Sequence, residues 1–168
     1  MMEFEERAEE LYEKLDKQAR KGGYNLNPDR DFTMELMEGL VTNSDRYGYM
    51  ACPCRLADGR RQADLDIICP CDYRDADLVE HGACYCGLYV SDEVRNGQRD
   101  LEPVPERRPA DPEERPQSSG APRGESPAGQ LPLPVYRCRV CGYLCAREDP
   151  PGKCPICGAK ADRFQRFI

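Results

Sequence analysis

Cysteine placement constrains this chain more than any other feature of its sequence. Eleven of the 168 residues are cysteines. Six lie between Cys52 and Cys86 as three Cys-x-Cys units, and five lie between Cys138 and Cys157. The N-terminal residues MMEFEERAEE resemble no secretory signal, and no segment approaches the roughly 20 apolar residues of a membrane-spanning helix. We therefore expect a cytoplasmic protein without membrane contact, in which grouped cysteines indicate metal or redox chemistry rather than structural disulfides.

Charge and composition narrow the function classes. The net charge of −7 argues against nucleic-acid binding, because phosphate groups require a basic surface. Apolar residues make up 39% of the chain, which also carries 15 prolines and 14 glycines. A large buried core is therefore not expected, and small domains of this kind usually need a metal or a disulfide for stability.

Two helices are predicted before the first cysteine. Apolar residues at three- and four-residue spacing indicate a helix over residues 3–21, which Gly22-Gly23 should end. A second helix should follow, with Asn27 as its cap and Pro28 near its first position. A short helical turn is expected at Asp75–Glu80. The second helix should bury one apolar face made of Phe32, Leu36, Met37, Leu40 and Val41.

The composition changes near Pro103 and predicts a tether between two domains. The segment PVPERRPADPEERPQSSGAPRGESPAGQLPLP is rich in proline, glycine, serine and charge, with almost nothing to bury. We predict domains at residues 1–108 and 134–168, joined by a flexible linker over 109–133. About 25 flexible residues span roughly 25–30 Å, enough to reach a neighbouring chain, so a homodimer with crossed tails fits this length.

The C-terminal cysteines predict a metal site. Two Cys-x-x-Cys pairs can supply a tetrahedral set of four thiolates, and this geometry suits either zinc or a single iron. A glycine follows each pair, at Gly142 and Gly158, and lets backbone amides turn toward the sulfurs. Cys145 falls outside the pattern and is interpreted as a spare thiol. The predicted ligands are Cys138, Cys141, Cys154 and Cys157.

The same segment resembles a known family of iron proteins. Tyr-x-Cys-x-x-Cys-Gly-Tyr followed by Cys-Pro-x-Cys-Gly is similar to rubredoxin, and the short loop between the pairs is similar to the rubredoxin modules of rubrerythrins. The resemblance covers residues 135–168 and implies a small β-rich domain holding one redox-active iron, with structural zinc as the alternative. The chain lacks tryptophan, and Tyr136 and Phe164 are expected to pack where many rubredoxins have one.

The three Cys-x-Cys units allow several interpretations from spacing alone. Six thiolates could wrap two zinc ions as an interaction module, or four could hold an iron–sulfur cluster beside two further thiols. The Cys-x-x-x-Cys-x-x-Cys run of radical enzymes that use S-adenosylmethionine is absent. Spacing does not identify which four cysteines bind.

The N-terminal region resembles the catalytic subunit of ferredoxin:thioredoxin reductase. The likeness covers residues 4–108, through RYGYMACPCR, the central CPC and the last Cys-x-Cys, with NPDRDFTMELMEGL before and SDEVRNG after them. The fused rubredoxin module is similar to the ferredoxin:disulfide reductases of that family. The resemblance implies a mainly α iron–sulfur domain in which Cys54 and Cys86 form a redox-active disulfide. It also implies that a 4Fe-4S cluster is bound by Cys52, Cys69, Cys71 and Cys84.

The resemblance also implies a mechanism and partners. Ferredoxin delivers electrons singly, Cys86 bonds to the cluster after the first, and Cys54 attacks a disulfide of thioredoxin or a similar protein. Arg55 could lower the pKa of Cys54, or could be a surface charge. No dinucleotide-binding motif is present, so electrons should come from ferredoxin, with the rubredoxin domain as a relay. The alternative is a non-catalytic electron carrier with both centres in series.

One residue departs from the family pattern. The family usually has Cys-His-Cys at the third unit, and its histidine shuttles protons near the disulfide. Here the middle residue is Tyr85, which can donate a hydrogen bond but has a reference pKa near 10. The single histidine, His81, lies three residues before Cys84. His81 and Tyr85 are therefore both candidates for the proton carrier.

Overall fold

The computed structural model describes residues 4–115 and 133–167. The chain divides into two compact units, Met1–Arg115 and Pro116–Ile168. The fold class predicted from the sequence is confirmed: the first unit is mainly helical and the second is a small β domain. No helix among the described residues is long and apolar enough to cross a membrane. The elements of the first unit are α1 (Phe4–Lys21), β1 (Asn25–Leu26), α2 (Arg30–Tyr47), α3 (Arg74–His81), β2 (Tyr89–Val90) and α4 (Asp92–Arg95).

Helices α1 and α2 pack against each other and form most of the largest buried apolar cluster. On α2 the predicted buried face is confirmed, except that Phe32 is only partly buried. Met37 and Leu40 are fully buried, and burying one such side chain stabilises the fold by about 1.5–3 kcal/mol. The buried residues of α1 that meet this face are Ala8, Leu15 and Ala19.

The cap of α2 differs from the prediction. The helix begins at Arg30, and the N-cap is Asp29, whose side chain accepts a hydrogen bond of 3.1 Å from the amide of Phe32. The prediction of Asn27 as cap was therefore wrong. Instead, Asn27 connects the segment before α2 to the residue after the last Cys-x-Cys unit: its Nδ2 donates to the carbonyl of Gly87 at 3.0 Å. This bond gives the buried amide of Asn27 a hydrogen-bond partner.

A short antiparallel pair lies beside the helices. Strand β1 pairs with β2 in the register Asn25–Val90 and Leu26–Tyr89. Because β2 directly follows the last Cys-x-Cys unit, this pairing holds that unit against the start of α2. The predicted helical turn at Asp75–Glu80 is present as the longer helix α3.

Residues 104–115 lie against the rest of the N-terminal unit, and we call this segment the strap. Val104 packs with Ala83 and Val90, and Arg108 is only 7% exposed at its side chain. The prediction that the chain from residue 103 buries almost nothing was wrong for these two side chains. Of the linker predicted over 109–133, residues 116–132 lie outside the described residues, so its extent stays a prediction.

The strap covers a buried carboxylate. Asp64 is fully buried, and its oxygens accept hydrogen bonds from Tyr49 (2.6 Å), from the amides of Asp58 (2.9 Å) and Gly59 (3.0 Å), and from Arg108 (3.2 Å). Burial alone would favour the neutral acid, but these donors stabilise the carboxylate and lower the pKa of Asp64.

Asp64 should make folding sensitive to acid. Its pKa is depressed in the folded state, so its contribution is present above the unfolded value near 3.9 and is lost as the pH falls through the folded value. We expect Asp64→Asn to be less stable than the wild type at pH 7, with a difference that shrinks toward pH 3. Thermal unfolding across this range measures the difference. A constant gap would contradict the prediction.

The second unit is a three-stranded antiparallel sheet. Its strands are β3 (Val135–Cys138), β4 (Leu144–Ala146) and β5 (Phe164–Arg166), with β3 in the centre. Phe164 is 5% exposed and packs with Cys138 and Cys154, and Tyr136 packs against this group. Tyr136 and Phe164 therefore both pack in the core of this unit, and their match to the tryptophan position of rubredoxins stays a prediction.

Candidate functional site

Backbone hydrogen bonds bring the first two Cys-x-Cys units together. The amide of Cys52 donates to the carbonyl of Ile67 at 2.8 Å, and the amide of Cys69 donates to the carbonyl of Met50 at 2.8 Å. The two segments therefore run antiparallel for a short distance. The two bonds join residues that are 15 and 19 positions apart in the sequence, and they bring Cys52 near Cys69.

Helix α2 lies directly against the first unit. A Cβ atom at Gly39 would be only 2.7 Å from Cβ of Pro53, a separation that real side chains do not show. Glycine costs helix stability, by about 1 kcal/mol relative to alanine, so its presence inside α2 is explained by this approach. The turn that carries Cys52 and Cys54 therefore rests on the backbone of α2.

The third unit forms a tight turn. The amide of Gly87 donates to the carbonyl of Cys84 at 2.7 Å, and Gly87 has a φ of 72°, which favours glycine. Cys84 also receives a hydrogen bond on Sγ from the amide of Tyr89 at 3.3 Å. The turn buries Cys84 and leaves Cys86 partly accessible.

The six thiols of the Cys-x-Cys units lie close enough to shift one another's pKa values, and we call them the sulfur cluster. The Sγ atoms of Cys84 and Cys86 are 3.7 Å apart, and Cys86 also hydrogen-bonds Cys52 and Cys54. Cys69 belongs to the same group, because the sulfurs of Cys52, Cys71 and Cys84 are near enough to raise its pKa by electrostatic repulsion. Three members are buried, two are half-buried and Cys54 is exposed. The buried members are Cys52, Cys69 and Cys84, and the half-buried members are Cys71 and Cys86.

Cys54 and Cys86 differ in exposure and in proton affinity. A hydrogen bond from Cys86 lowers the pKa of Cys54 to about 7, and Arg55 adds a smaller effect in the same direction. The pKa of Cys86 is raised well above its usual value by its interactions with Cys52, Cys54 and Cys84 and by burial. The pair therefore favours an exposed thiolate at Cys54 beside a protonated Cys86.

The other four cysteines fit a cationic iron–sulfur group. Burial, with repulsion from Cys52, Cys71 and Cys84, raises the pKa of Cys69 well above its usual value. Buried thiolates that repel one another need a positive partner, and soft sulfur donors suit iron–sulfur clusters. Arg55 Nη1 donates to Cys71 Sγ at 3.1 Å, a type of bond that tunes such clusters. The donor set thus suits a cluster.

Arg55 is an internal charge. Its side chain is 1% exposed, and its guanidinium lies over the rings of Tyr73 (4.9 Å) and Tyr85 (4.4 Å). The alternative that Arg55 is a surface charge is therefore excluded. Arg55 does lower the pKa of Cys54, although hydrogen bonding from Cys86 is the larger cause.

The two candidate proton carriers lie in different surroundings. Tyr85 is half-buried and stacks on Arg55, with 4.4 Å between the guanidinium carbon and the ring centre. His81 ends α3, and its Nε2 lies 3.7 Å from Oε1 of Glu80. The Tyr85 ring thus belongs to the shell of aromatic rings around Arg55, whereas the recorded partner of His81 is a carboxylate on its own helix.

The C-terminal unit holds a four-cysteine metal site. The Sγ atoms of Cys138, Cys141, Cys154 and Cys157 all lie within 4.8 Å of one another. The glycines that follow each pair, Gly142 and Gly158, have φ values of 77° and 74°. As a result, the amides of the next residues donate to Sγ of Cys141 and Cys157. The predicted set of ligands is brought together, and it fits zinc or iron.

Metal loading should depend on each of these four thiolates. We expect Cys157→Ser to lose the C-terminal metal, because three thiolates and an alcohol bind zinc or iron much more weakly. Cys145→Ser is the matched control, since Cys145 lies on β4 outside the set and should leave the metal content unchanged. Elemental analysis of the purified proteins measures both. Equal metal content in the two variants would contradict the site.

Comparison with known families agrees with this geometry. The family model described as "Ferredoxin thioredoxin reductase catalytic beta chain" matches residues 1–107. This match spans more than half of the chain and all six N-terminal cysteines. The chain belongs to the ferredoxin:thioredoxin reductase catalytic-chain family. It is therefore an oxidoreductase of that family. A second model, "Rubrerythrin, rubredoxin-like domain", matches residues 136–165.

Two curated relatives match one unit each. The chain is 26% identical over 94 residues to the ferredoxin-thioredoxin reductase catalytic chain of Porphyra purpurea, which covers 54% of this chain and 75% of the relative. It is 55% identical over 29 residues to reverse rubrerythrin-1 of Clostridium acetobutylicum. That match covers 17% of this chain and only 16% of the rubrerythrin. The likeness to the rubrerythrin is thus confined to the metal-binding unit.

Sequence reasoning missed the strap residues around the site. Glu106, Arg107 and Arg108 all make ion pairs with residues of the cysteine-bearing region. A signal was present, because residues 52–86 carry seven acidic residues against four arginines. The strap arginines pair with five of the acidic residues, which are Asp58, Asp64, Asp66, Asp77 and Glu80.

Proposed function

We propose that this protein is a ferredoxin-dependent disulfide reductase. The observation that carries the proposal is the asymmetry of one cysteine pair. Cys54 is exposed and hydrogen-bonded by Cys86, and Cys86 lies 3.7 Å from Cys84 within the sulfur cluster. One sulfur can thus reach a protein substrate while its partner stays at the cluster site.

Four cysteines would hold a 4Fe-4S cluster in this proposal. When bound, such a cluster accepts and donates one electron at a time, which matches a single-electron donor such as ferredoxin. The amide of Tyr89 and the guanidinium of Arg55 would stabilise two of the ligand sulfurs by hydrogen bonding. The proposed ligands are Cys52, Cys69, Cys71 and Cys84.

The chemistry of Cys54 and Cys86 is thiol–disulfide exchange. The Cys54 thiolate attacks one sulfur of the substrate disulfide, and the other substrate sulfur leaves as a thiolate that takes up a proton. Cys86 then loses its proton and attacks the Cys54 sulfur of the mixed disulfide. This step releases the second substrate thiol and leaves a Cys54–Cys86 disulfide. Two electrons from ferredoxin, delivered singly, and two protons restore both thiols.

The partners and remaining roles follow from the same family. Ferredoxin is the proposed donor, and thioredoxin or a thioredoxin-like protein is the proposed substrate. The C-terminal four-cysteine site would hold iron and relay electrons, and a homodimer with crossed tails is one way to bring it to the cluster. The proton carrier would be His81 or Tyr85. Eleven cysteines in two dense groups support a cytoplasmic location.

An anaerobic assay tests the proposed function. Iron-loaded protein is mixed with photochemically or chemically reduced ferredoxin and oxidised thioredoxin, and free thiols on thioredoxin are counted. We expect two thiols per thioredoxin and no reaction when either ferredoxin or this protein is left out. Visible iron–sulfur absorbance without any thiol formation would contradict the reductase and favour a non-catalytic electron carrier.

Trapping with an alkylating agent separates the roles of the two cysteines. After one-electron reduction we expect iodoacetamide to modify Cys54 and to spare Cys86, because Cys54 is exposed and Cys86 lies within the sulfur cluster. Mass spectrometry of the digested protein measures both sites. Equal modification of the two cysteines, or modification of neither, would contradict the division of labour.

A further inference from the structure

The Arg55 guanidinium connects the strap to the sulfur cluster. Nη1 donates to Cys71 Sγ at 3.1 Å, and Nε lies 3.0 and 3.1 Å from the two carboxylate oxygens of Glu106. Nη2 lies 3.0 Å from Glu106 and 3.9 Å from Asp77. One cation therefore contacts a cluster sulfur on one side and a strap carboxylate on the other.

Solvent does not screen this cation on the cluster side. The side chain of Arg55 is 1% exposed and is flanked by the rings of Tyr73 and Tyr85. Charges in such an environment interact more strongly than they would in water. Glu106 is the exception, since 38% of its side chain is exposed. The electrostatic effect of Arg55 on the Cys71 sulfur thus depends on how far the accessible carboxylate of Glu106 offsets the positive charge of Arg55.

The neighbours of Glu106 hold it at this position. Arg107 Nε bonds Asp77 at 2.9 Å, and Arg108 Nε bonds Asp66 at 2.9 Å. The amide of Arg108 also donates to Glu106 Oε1 at 2.8 Å. Because the residues on its C-terminal side are bound to buried carboxylates, Glu106 is fixed beside Arg55 rather than free to move with the predicted linker.

We propose that Glu106 is a positioning residue that, through Arg55, sets the reduction potential of the redox site. The inference rests on the proposed function, in which Cys71 is a cluster ligand. Hydrogen bonds and net charge near the sulfurs are main determinants of the potential of an iron–sulfur centre. A positive charge stabilises the more negative, reduced state, so Arg55 raises the potential and Glu106 partly offsets it.

Substitution of the two partners should shift the potential in opposite directions. Glu106→Gln keeps the shape and the acceptor for Arg55 but removes the negative charge, so the potential should rise. Arg55→Gln removes both the cation and the hydrogen bond to Cys71, so the potential should fall. The matched control is Glu102→Gln, at an exposed acidic residue of the same region, which should leave the potential unchanged.

A redox titration of the iron-loaded proteins, followed by visible absorbance under anaerobic conditions, measures all three. A Glu106→Gln potential equal to that of Glu102→Gln, or lower than the wild type, overturns this proposal, even where Arg55→Gln does not fold. A wild type without iron–sulfur absorbance overturns the proposed function as well. A wild type that reduces thioredoxin together with an unshifted Glu106→Gln overturns the positioning role alone.

Discussion

Replacing Cys54 with serine is expected to abolish thioredoxin reduction while the visible iron–sulfur absorbance stays. Cys54 is the exposed member of the sulfur cluster, so its loss removes the atom that can reach a substrate disulfide. A serine hydroxyl is not ionised at neutral pH and cannot form the mixed disulfide. We expect the ferredoxin-dependent rate to fall by about three orders of magnitude or more, as for other enzymes that lose their nucleophile.

Two further variants make this result specific. Cys86→Ser should still attack the substrate but should accumulate a mixed disulfide at Cys54, because the resolving thiol is missing. Cys145→Ser, in the C-terminal unit, should retain the wild-type rate, since Cys145 lies outside both predicted sites. Non-reducing gel electrophoresis detects the mixed disulfide. Retained thiol production by Cys54→Ser would exclude Cys54 as the nucleophile.

Replacing Arg108 with alanine is expected to cause the largest loss of stability outside the metal sites. Arg108 Nε bonds Asp66 at 2.9 Å, and Nη2 lies 3.2 Å from Asp64. Nη1 also donates to the carbonyl of Leu56 at 2.7 Å. Both aspartates are buried, so the variant would leave them without their cation. We expect the free energy of unfolding to fall by about 3–5 kcal/mol, the usual cost of breaking a buried ion pair.

Controls separate the buried contacts from the loss of charge. Arg20→Ala removes a positive charge from an exposed pair with Asp16 on α1, and it should cost less than about 1 kcal/mol. Arg108→Lys keeps the charge but lacks the planar fork, so we expect it to recover only part of the loss. Urea unfolding of the iron-loaded proteins measures all three variants. Equal stability of Arg108→Ala and Arg20→Ala would show that the strap does not stabilise the fold.

Most of the helical fold and all of the metal-binding residues of the second unit could be predicted from local patterns. The apolar stripe of α2 and the glycines that end α1 are periodic or short-range signals, and the structure confirms them. The two Cys-x-x-Cys pairs are equally local, and their sulfurs meet as expected. The cap of α2 could not be predicted in the same way, because Asn27 and Asp29 are both good cap residues. In the structure Asp29 caps the helix, whereas the side chain of Asn27 bonds the distant carbonyl of Gly87.

The sequence by itself predicted that the six cysteines between Cys52 and Cys86 form a redox or metal site, because cysteines grouped so densely usually serve metal or redox chemistry. Residue order does not reveal which sulfur faces solvent, since Cys-x-Cys units at different positions look alike. Tertiary structure decided that Cys54 is exposed, that Cys86 sits among the other sulfurs, and that Arg55 is buried against Cys71. The tertiary structure also brings Glu106 and Arg108 to their ion-pair partners, which lie about 40 to 50 positions earlier in the chain. Ion pairs between residues so far apart produce no periodic pattern in the sequence. A charged residue beside prolines therefore looks like part of a solvated linker, and only the fold shows its partner.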